Sequence, residues 1–357
     1  MIFLSDLISI FGDEFGDILF LVASHEIRKF IHVSEALRDI VEVTEIEWID
    51  FQSRRKIADQ ILSLKQDGRY CSVLIISEDD YSHFDEIEIL NAKIAAISFF
   101  STSFSLQALS RTAEIIKNTN YALQLKTELA LVERLDEADV TIFRDEDYGT
   151  ESVFQHHESD NWFSLHGPLS FGQQAVLPTG ELSVLTDESG QFSDQSKFRL
   201  DGKLLVKGVP IIHRSDFNVS LKETIETYDK LSSMKTESII FNVKDGEIVS
   251  IADASMRNTS LLQEFEELLS SDSRYCKIHE IGFGSNPNCA DLFDENYFPN
   301  ERFPGVHFGL GLGSFTKYHI DLVCENTKVF IGSGNSYELR EVYDTAALQF
   351  RENSSLY

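Results

Sequence analysis

Five residues of this 357-residue chain have the types and surroundings that chemistry at a metal would need. In "KYHIDLVCE", His319 and Asp321 stand two apart in a strand-like run. Period-two alternation puts both on one face, with Tyr318, Ile320 and Leu322 on the other. A polar pair flanked by apolar residues is costly to bury unless something compensates it. A divalent cation does so, because neutral imidazole and carboxylate are both ligands for zinc, manganese or iron. A His–Asp hydrogen bond without a metal is the alternative. Three more ligand-type residues stand alone in apolar runs: Glu181 after the Pro-Thr-Gly turn of "VLPTGELSVL", Glu280 in "CKIHEIGFGSNPN", and His307 in "GVHFGLG". His279, beside Glu280, points the opposite way in a strand and reads as structural. His156, His157, His166 and His213 have no spacing that suggests ligation and read as ordinary surface or core histidines.

The glycines of "GLGLG" (309–313) have the look of a phosphate loop. No GK[ST] element follows, and the downstream residues read as a strand rather than a helix whose N-terminus could hold an anion. Glycines here suit a backbone that passes close to a neighbouring strand or a ligand.

Two sets of elements must position these residues. Residues 1–148 alternate strands and helices: "DILFLVAS" as a strand, "EIRKFIHVSEALRDI" as a helix, "VEVTEIEWIDF" as a strand, then a helix "RRKIADQILSLKQDG" ended by Gly68. Strands at "CSVLIIS" (71–77) and "AKIAAISFF" (92–100) follow, then helices near 104–118 and 120–136. This rhythm predicts an α/β fold whose N-terminal domain is an open, mainly parallel sheet covered by helices. No glycine-rich turn follows the first strand, since "LVASHEIRKF" has nothing like GxGxxG, so a dinucleotide role has no support. Residues 149–357 change character. Short strand-like runs, "WFSLHG", "QQAVLP", "ELSVLT", "FRLDGKLLVKGVPIIH" and "ESIIFNVKDGEIVSI", are joined by Gly, Asp and Asn turns. They predict a β-rich α+β domain that carries the metal site, with one helix over 258–273 capped by Asn258 or Thr259.

Composition supports a folded, acidic protein. Hydrophobic residues at 42% and 27 phenylalanines supply a sizeable core. Acidic residues outnumber basic ones by 59 to 31, and the net charge of −28 would repel nucleic acid and an anionic membrane surface. The four cysteines, Cys71, Cys276, Cys289 and Cys324, show no CxxC spacing and read as free buried thiols of a reducing compartment. The first segment is interrupted by Asp6, Asp13, Glu14 and Asp17 and has no positive n-region, so a cytoplasmic location is expected.

Taken in order, these residues carry a resemblance. The chain resembles the thermophilic aminopeptidases, the aminopeptidase T type of metallopeptidase, over about residues 150 to 335. The family's proline-[Thr/Ser]-Gly-Glu turn appears as "LPTGE", its Gly-Glu segment as "HEIGFGSNPN", and its Gly-centred hairpin as "FNVKDGEIVSI". "DLFDENYFPNERFPGVHFGLG" carries the next His, and "YHIDLV" the closing His-x-Asp strand. The resemblance implies a site of two divalent ions (zinc, cobalt or manganese) held by Glu181, Glu280, His307, His319 and Asp321. It implies Glu280 as the carboxylate that shuttles protons, removal of N-terminal residues from a peptide substrate, and a homodimer. Three departures stand out. Ser314 occupies the place of a tyrosine, with Tyr318 expected to face away from His319. Only eleven residues separate His307 from His319, and "YFPNERFP" is inserted. The chain is also similar to the dihydroxypyridine dioxygenases, which would imply one ferrous ion on His307, His319 and Asp321. A third reading is a peptide-binding protein on the same scaffold without peptidase activity, for example in modification of a peptide natural product.

Overall fold

The computed structural model describes residues 1–38, 41–42, 51–78, 84–99, 102–186, 198–214, 219–255, 259–311, 315–332 and 336–354. Runs of apolar residues too short for helices form the parallel sheet of the first unit, in the order Gln174–Val176, Ala92–Ser98, Cys71–Ser77, Ile18–Ala23, Val41–Glu42. All seven residues of Cys71–Ser77 are buried, as expected of a strand covered on both faces. The helix Phe51–Gln66 lays Ile57, Ile61 and Leu64 into that core at helical spacing. It ends as expected at Gly68, whose φ of 70° lets the Arg69 N–H reach back to the Leu64 carbonyl at 2.9 Å.

Two expectations change here. "EIRKFIHVSEALRDI" is not one helix: it forms the helix His25–Arg28, the strand Ile31–His32 and the helix Glu35–Arg38. β-Branched Ile31 and Val33 lose side-chain freedom in a helix, and the strand they favour pairs in parallel with Ile2–Phe3. Of the expected strand "VEVTEIEWIDF", only Val41–Glu42 is seen as strand. Phe51 opens the helix, and residues 43–50 lie outside the described residues, as do Phe100 and Asn258.

The units themselves also divide differently from the expected 148/149 boundary. The first comprises Met1–Ala122 with Leu165–Thr179, the second Leu123–Ser164 with Gly180–Tyr357. "QQAVLP" was expected among the β-rich strands. Its Gln174–Val176 instead pairs with Ala92–Ser98 in the first unit's sheet, where Ala175 is buried and the Leu177 N–H bonds the Ala96 carbonyl at 2.7 Å.

The second unit is β-rich, as its sequence predicts. A seven-stranded sheet runs Glu247–Asp253, Ile239–Lys244, Leu200–Val206, Thr150–Gln155, Val140–Asp145, Lys328–Ile331, Tyr337–Glu338. The turn of its "KDGE" hairpin uses Asp245 and Gly246 at φ of 50° and 73°, the left-handed pair that a two-residue hairpin needs. The helix expected over 258–273 spans Ser260–Ser271. Thr259 makes no side-chain cap there; the Glu237 carboxylate accepts the Leu261 N–H at 3.1 Å instead. Helices Leu221–Leu231, opened by a Ser220–Glu223 capping box, and Leu339–Ser354 add to it.

The second sheet positions the site. Its order is Gly208–Arg214, Tyr318–Cys324, Gly305–Leu310, Ile278–Gly284, Glu181–Leu185, Trp162–Leu165. Alternation gives it two different faces. Leu182, Val184, Ile212, Ile281, Phe283, Val306, Phe308, Leu310, Ile320 and Leu322 enter one core with the apolar side chains of the seven-stranded sheet. Phe308 meets Phe143 edge to face, with ring centroids 5.0 Å apart. Phe308→Ala should therefore destabilise the protein by about 3–5 kcal/mol, read as a lower urea midpoint, because it removes the ring that joins the two sheets.

Candidate metal centre

The face turned away from that core carries Glu181, Glu280, His307, His319 and Asp321 together. The register explains how. Glu280 lies opposite Gly309, Gly309 opposite Asp321, and His307 opposite Gly282. The two glycines make room for the polar side chains. A Cβ at Gly282 would stand 2.1 Å from His307 Nε2, and one at Gly309 would stand 2.7 Å from both Glu280 Cβ and His319 Cε1. Gly309 is thus a close-approach residue of a strand. Gly313 and Ser314 lie outside the described residues. A register shift between Ile278 and Glu280 turns Ile278 into the core and Glu280 outward. His279, between them, is buried with Nδ1 3.0 Å from the Thr186 hydroxyl, in the structural role its position suggested. Tyr318 faces the core, away from His319.

These ligand-type atoms fall into linked triads. Glu181, Glu280 and His307 form the first: His307 Nε2 is 3.2 Å from Glu181 Oε1 and 3.9 Å from Glu280 Oε1. Glu280, His319 and Asp321 form the second: His319 Nε2 is 3.1 Å from Glu280 Oε2 and 3.0 Å from Asp321 Oδ1. Glu280 belongs to both. His307 belongs with Glu181, so the third partner of the His319–Asp321 pair is Glu280.

A third triad, His213, Glu301 and Asp321, was not anticipated. The sequence offers His213 no spacing that marks it as a ligand, and the structure corrects that expectation. Its strand pairs with the closing strand so that His213 lies opposite His319, and its Nε2 reaches Glu301 Oε1 at 2.6 Å and Asp321 Oδ2 at 3.2 Å. Glu301 and Arg302 come from "YFPNERFP", whose residues Phe298–Arg302 form a buried 3-10 turn. This segment is a plug. Asn296 exchanges two hydrogen bonds with the backbone of Ile212, at 2.9 and 3.0 Å. Asn300 does the same with Phe293, at 2.9 Å each. Gly284 lets the plug cross the sheet, since a Cβ there would meet the Phe303 carbonyl at 2.0 Å. The plug delivers the Arg302 guanidinium, 1% exposed, onto Glu181 and onto Glu301 Oε2 at 2.7 Å, stacked 4.5 Å over the Phe298 ring.

Charge compensation governs the site. Burial opposes the imidazolium of His213, but Glu301 and Asp321 prevail and push it up to about 9. Burial likewise opposes charge on His307 and His319. Glu181 and Glu280 around the first, and Asp321 and Glu280 around the second, hold both well above the usual histidine range. Burial would raise the Asp321 carboxyl, but the charge of His319 and its bonds to His213 and His319 hold it well below the usual range.

The residues fit a divalent ion. His319 donates Nδ1–H to the Gly311 carbonyl at 2.8 Å, which fixes Nε2 as the atom that faces two carboxylates and would bind an ion in place of its proton. His307 Nε2 and Asp321 Oδ1 are buried in ion-pair contact, 3.2 Å from Glu181 Oε1 and 3.0 Å from His319 Nε2, without hydrogen-bond geometry. Both atoms sit on the face that the glycines keep clear, and a cation coordinated there would take up both.

Glu128, on the helix Tyr121–Glu137, adds a buried carboxyl beside this face. It accepts from the hydroxyls of Ser164 and Ser285, the second at 2.9 Å. Burial raises it to about 8 against those two bonds, with the charge of Glu181 adding to the effect.

A parallel α/β unit and a β-rich unit make up a fold that two solved structures share. A 2,5-dihydroxypyridine dioxygenase from Pseudomonas putida KT2440 matches with a TM-score of 0.52 at 14% identity, over 90% of this chain and 92% of that one. Wild-type AmpT from Thermus thermophilus matches with a TM-score of 0.50 at 13% identity, over 94% of this chain and 97% of that one. The kinship is one of fold. Residues 63–331 match the family described as Crocagin biosynthetic protein CgnE/B, and the chain belongs to that family. No curated protein matches the sequence.

Glu128 gives a pH signature. Its folded-state value near 8 lies above the ordinary 4.5, so the stability tied to its proton is present at low pH and lost as pH rises through about 8. Glu128→Gln is neutral at every pH. The stability of the wild type relative to this variant should therefore fall between about pH 5 and about pH 8.5, measured by urea unfolding.

Proposed function

We propose that this chain acts in the biosynthesis of a crocagin-type product as a peptide-binding protein built on an aminopeptidase-like scaffold. It holds a peptide precursor at the ligand face rather than hydrolysing it. One observation carries this reading: the plug places Arg302 on Glu181, so one of the five ligands implied for a paired-metal hydrolytic centre is engaged by the protein's own guanidinium. The family match to a biosynthetic protein supports the same direction. The fold kinship with AmpT supports the scaffold.

The chain's own residues can do the binding. Glu280, His319 and His213 are the partly exposed members of the cluster, with side chains 12%, 17% and 16% accessible, so an incoming group meets them first. The Glu280 carboxylate suits the ammonium of a peptide's N-terminal end, and the two imidazole rings suit its carbonyl groups as hydrogen-bond donors. A divalent ion on Glu280, His319 and Asp321 would supply a Lewis acid that orients a carbonyl. Buried Asp321 stays ionised and keeps the His213 and His319 rings in place.

Fluorescence polarisation with a labelled precursor peptide of the pathway, followed by mass spectrometry of the same mixtures, tests the reading. Saturable binding with the peptide recovered intact is expected, with or without added Zn(II), Co(II) or Mn(II). A scrambled copy should bind more weakly. Release of N-terminal residues in the metal-supplemented mixture would contradict it and restore the aminopeptidase.

A further inference from the structure

We propose that Arg302 is the built-in cation of this site: it holds the Glu181 end of the ligand face, so the protein takes one exchangeable divalent ion, between Glu280, His319 and Asp321. The inference rests on the ligand face being a cation site and not on what the face binds besides.

Three features carry it. The first is placement. One nitrogen of Arg302, Nη1, bonds both Glu181 and Glu301, and the planar group is clamped over Phe298. The plug is tied down on either side of it by Asn296, Asn300 and the close pass over Gly284, so the backbone that presents the guanidinium is fixed. The second is access. The Glu181 and His307 side chains are 8% and 2% accessible, whereas Glu280 and His319 remain open to solvent at 12% and 17%. The two most exposed of these ligands, Glu280 and His319, both belong to the second triad, with Asp321 buried at 2% beneath them, so solvent reaches that triad more readily.

The third is charge. Glu181, Glu280, Glu301 and Asp321 are four carboxylates, and Arg302 with one divalent ion brings them within a single charge of balance when the imidazoles are neutral ligands. A second divalent ion at Glu181 and His307 would share the Glu181 carboxylate with the guanidinium. The net count would only pass from one negative charge to one positive, so the cost lies in the contact itself: two cations on one carboxylate with little water between them. Arg302 therefore supplies the compensation a second metal would otherwise provide, without needing to be acquired from solution.

The test is the metal count of the metal-free full-length protein. Zn(II) is titrated by calorimetry, and Co(II) by its visible absorption. The wild type should take one equivalent, and His319→Ala should lose it. Arg302→Met, similar in length but uncharged, should take two equivalents, while Arg302→Lys should still take one. Two equivalents in the wild type, or a single one in a folded Arg302→Met, would overturn the proposal while leaving the cation site intact. No binding to either protein would remove the cation site itself, and the proposal with it. Should Arg302→Met fail to fold, the wild-type and Arg302→Lys counts decide, since two equivalents in either are incompatible with a built-in cation.

Discussion

The structure of the second unit depends on compensating charge on one face of one sheet. Glu181, Glu280, Glu301 and Asp321 are largely removed from water, and each such ion costs several kcal/mol unless an opposite charge replaces its hydration. Arg302, His213, His307 and His319 stand within contact of them. Everything nearby serves that arrangement. The apolar face of the sheet fixes the strands against the seven-stranded partner, so register, and with it every charged position, is not free to slip. The glycines at 282, 284 and 309 remove the side chains that would crowd the imidazoles and the plug.

The plug makes this scaffold different from a plain metal-ligand sheet. It brings a guanidinium and a fourth carboxylate to a set of residues whose order in the chain resembles that of metallopeptidases. A guanidinium cannot lose its proton at any ordinary pH and cannot activate water. It fixes charge at Glu181 permanently and leaves the more open end of the face for something exchangeable.

Much of this was legible in the chain, for local reasons. The facing of His319 and Asp321 follows from a two-residue period, and the isolation of Glu181, Glu280 and His307 in apolar runs marked them as residues needing a partner. The hairpin at Asp245–Gly246 and the stop at Gly68 were set by backbone conformations that few residues adopt. What was not legible is non-local. His213 looks unremarkable until its strand pairs with the one bearing His319. Glu301 and Arg302 read as an insertion because nothing in "YFPNERFP" shows that it folds back across Gly284. The strand Gln174–Val176 looks like its β-rich neighbours and joins the other unit's sheet through pairing that local sequence does not encode. The Ser220–Glu223 capping box was readable as a helix start and shows that the second unit holds more helix than its strand-like runs suggest.

Anomalous diffraction from crystals of the protein soaked in Zn(II) tests the central claim most directly, because it locates the ion rather than counting it. The account predicts one anomalous peak within bonding distance of His319 Nε2, Asp321 Oδ1 and Glu280 Oε2, with Arg302 still on Glu181. A peak between Glu181 and His307 with Arg302 displaced, or no peak on this face at all, would contradict it.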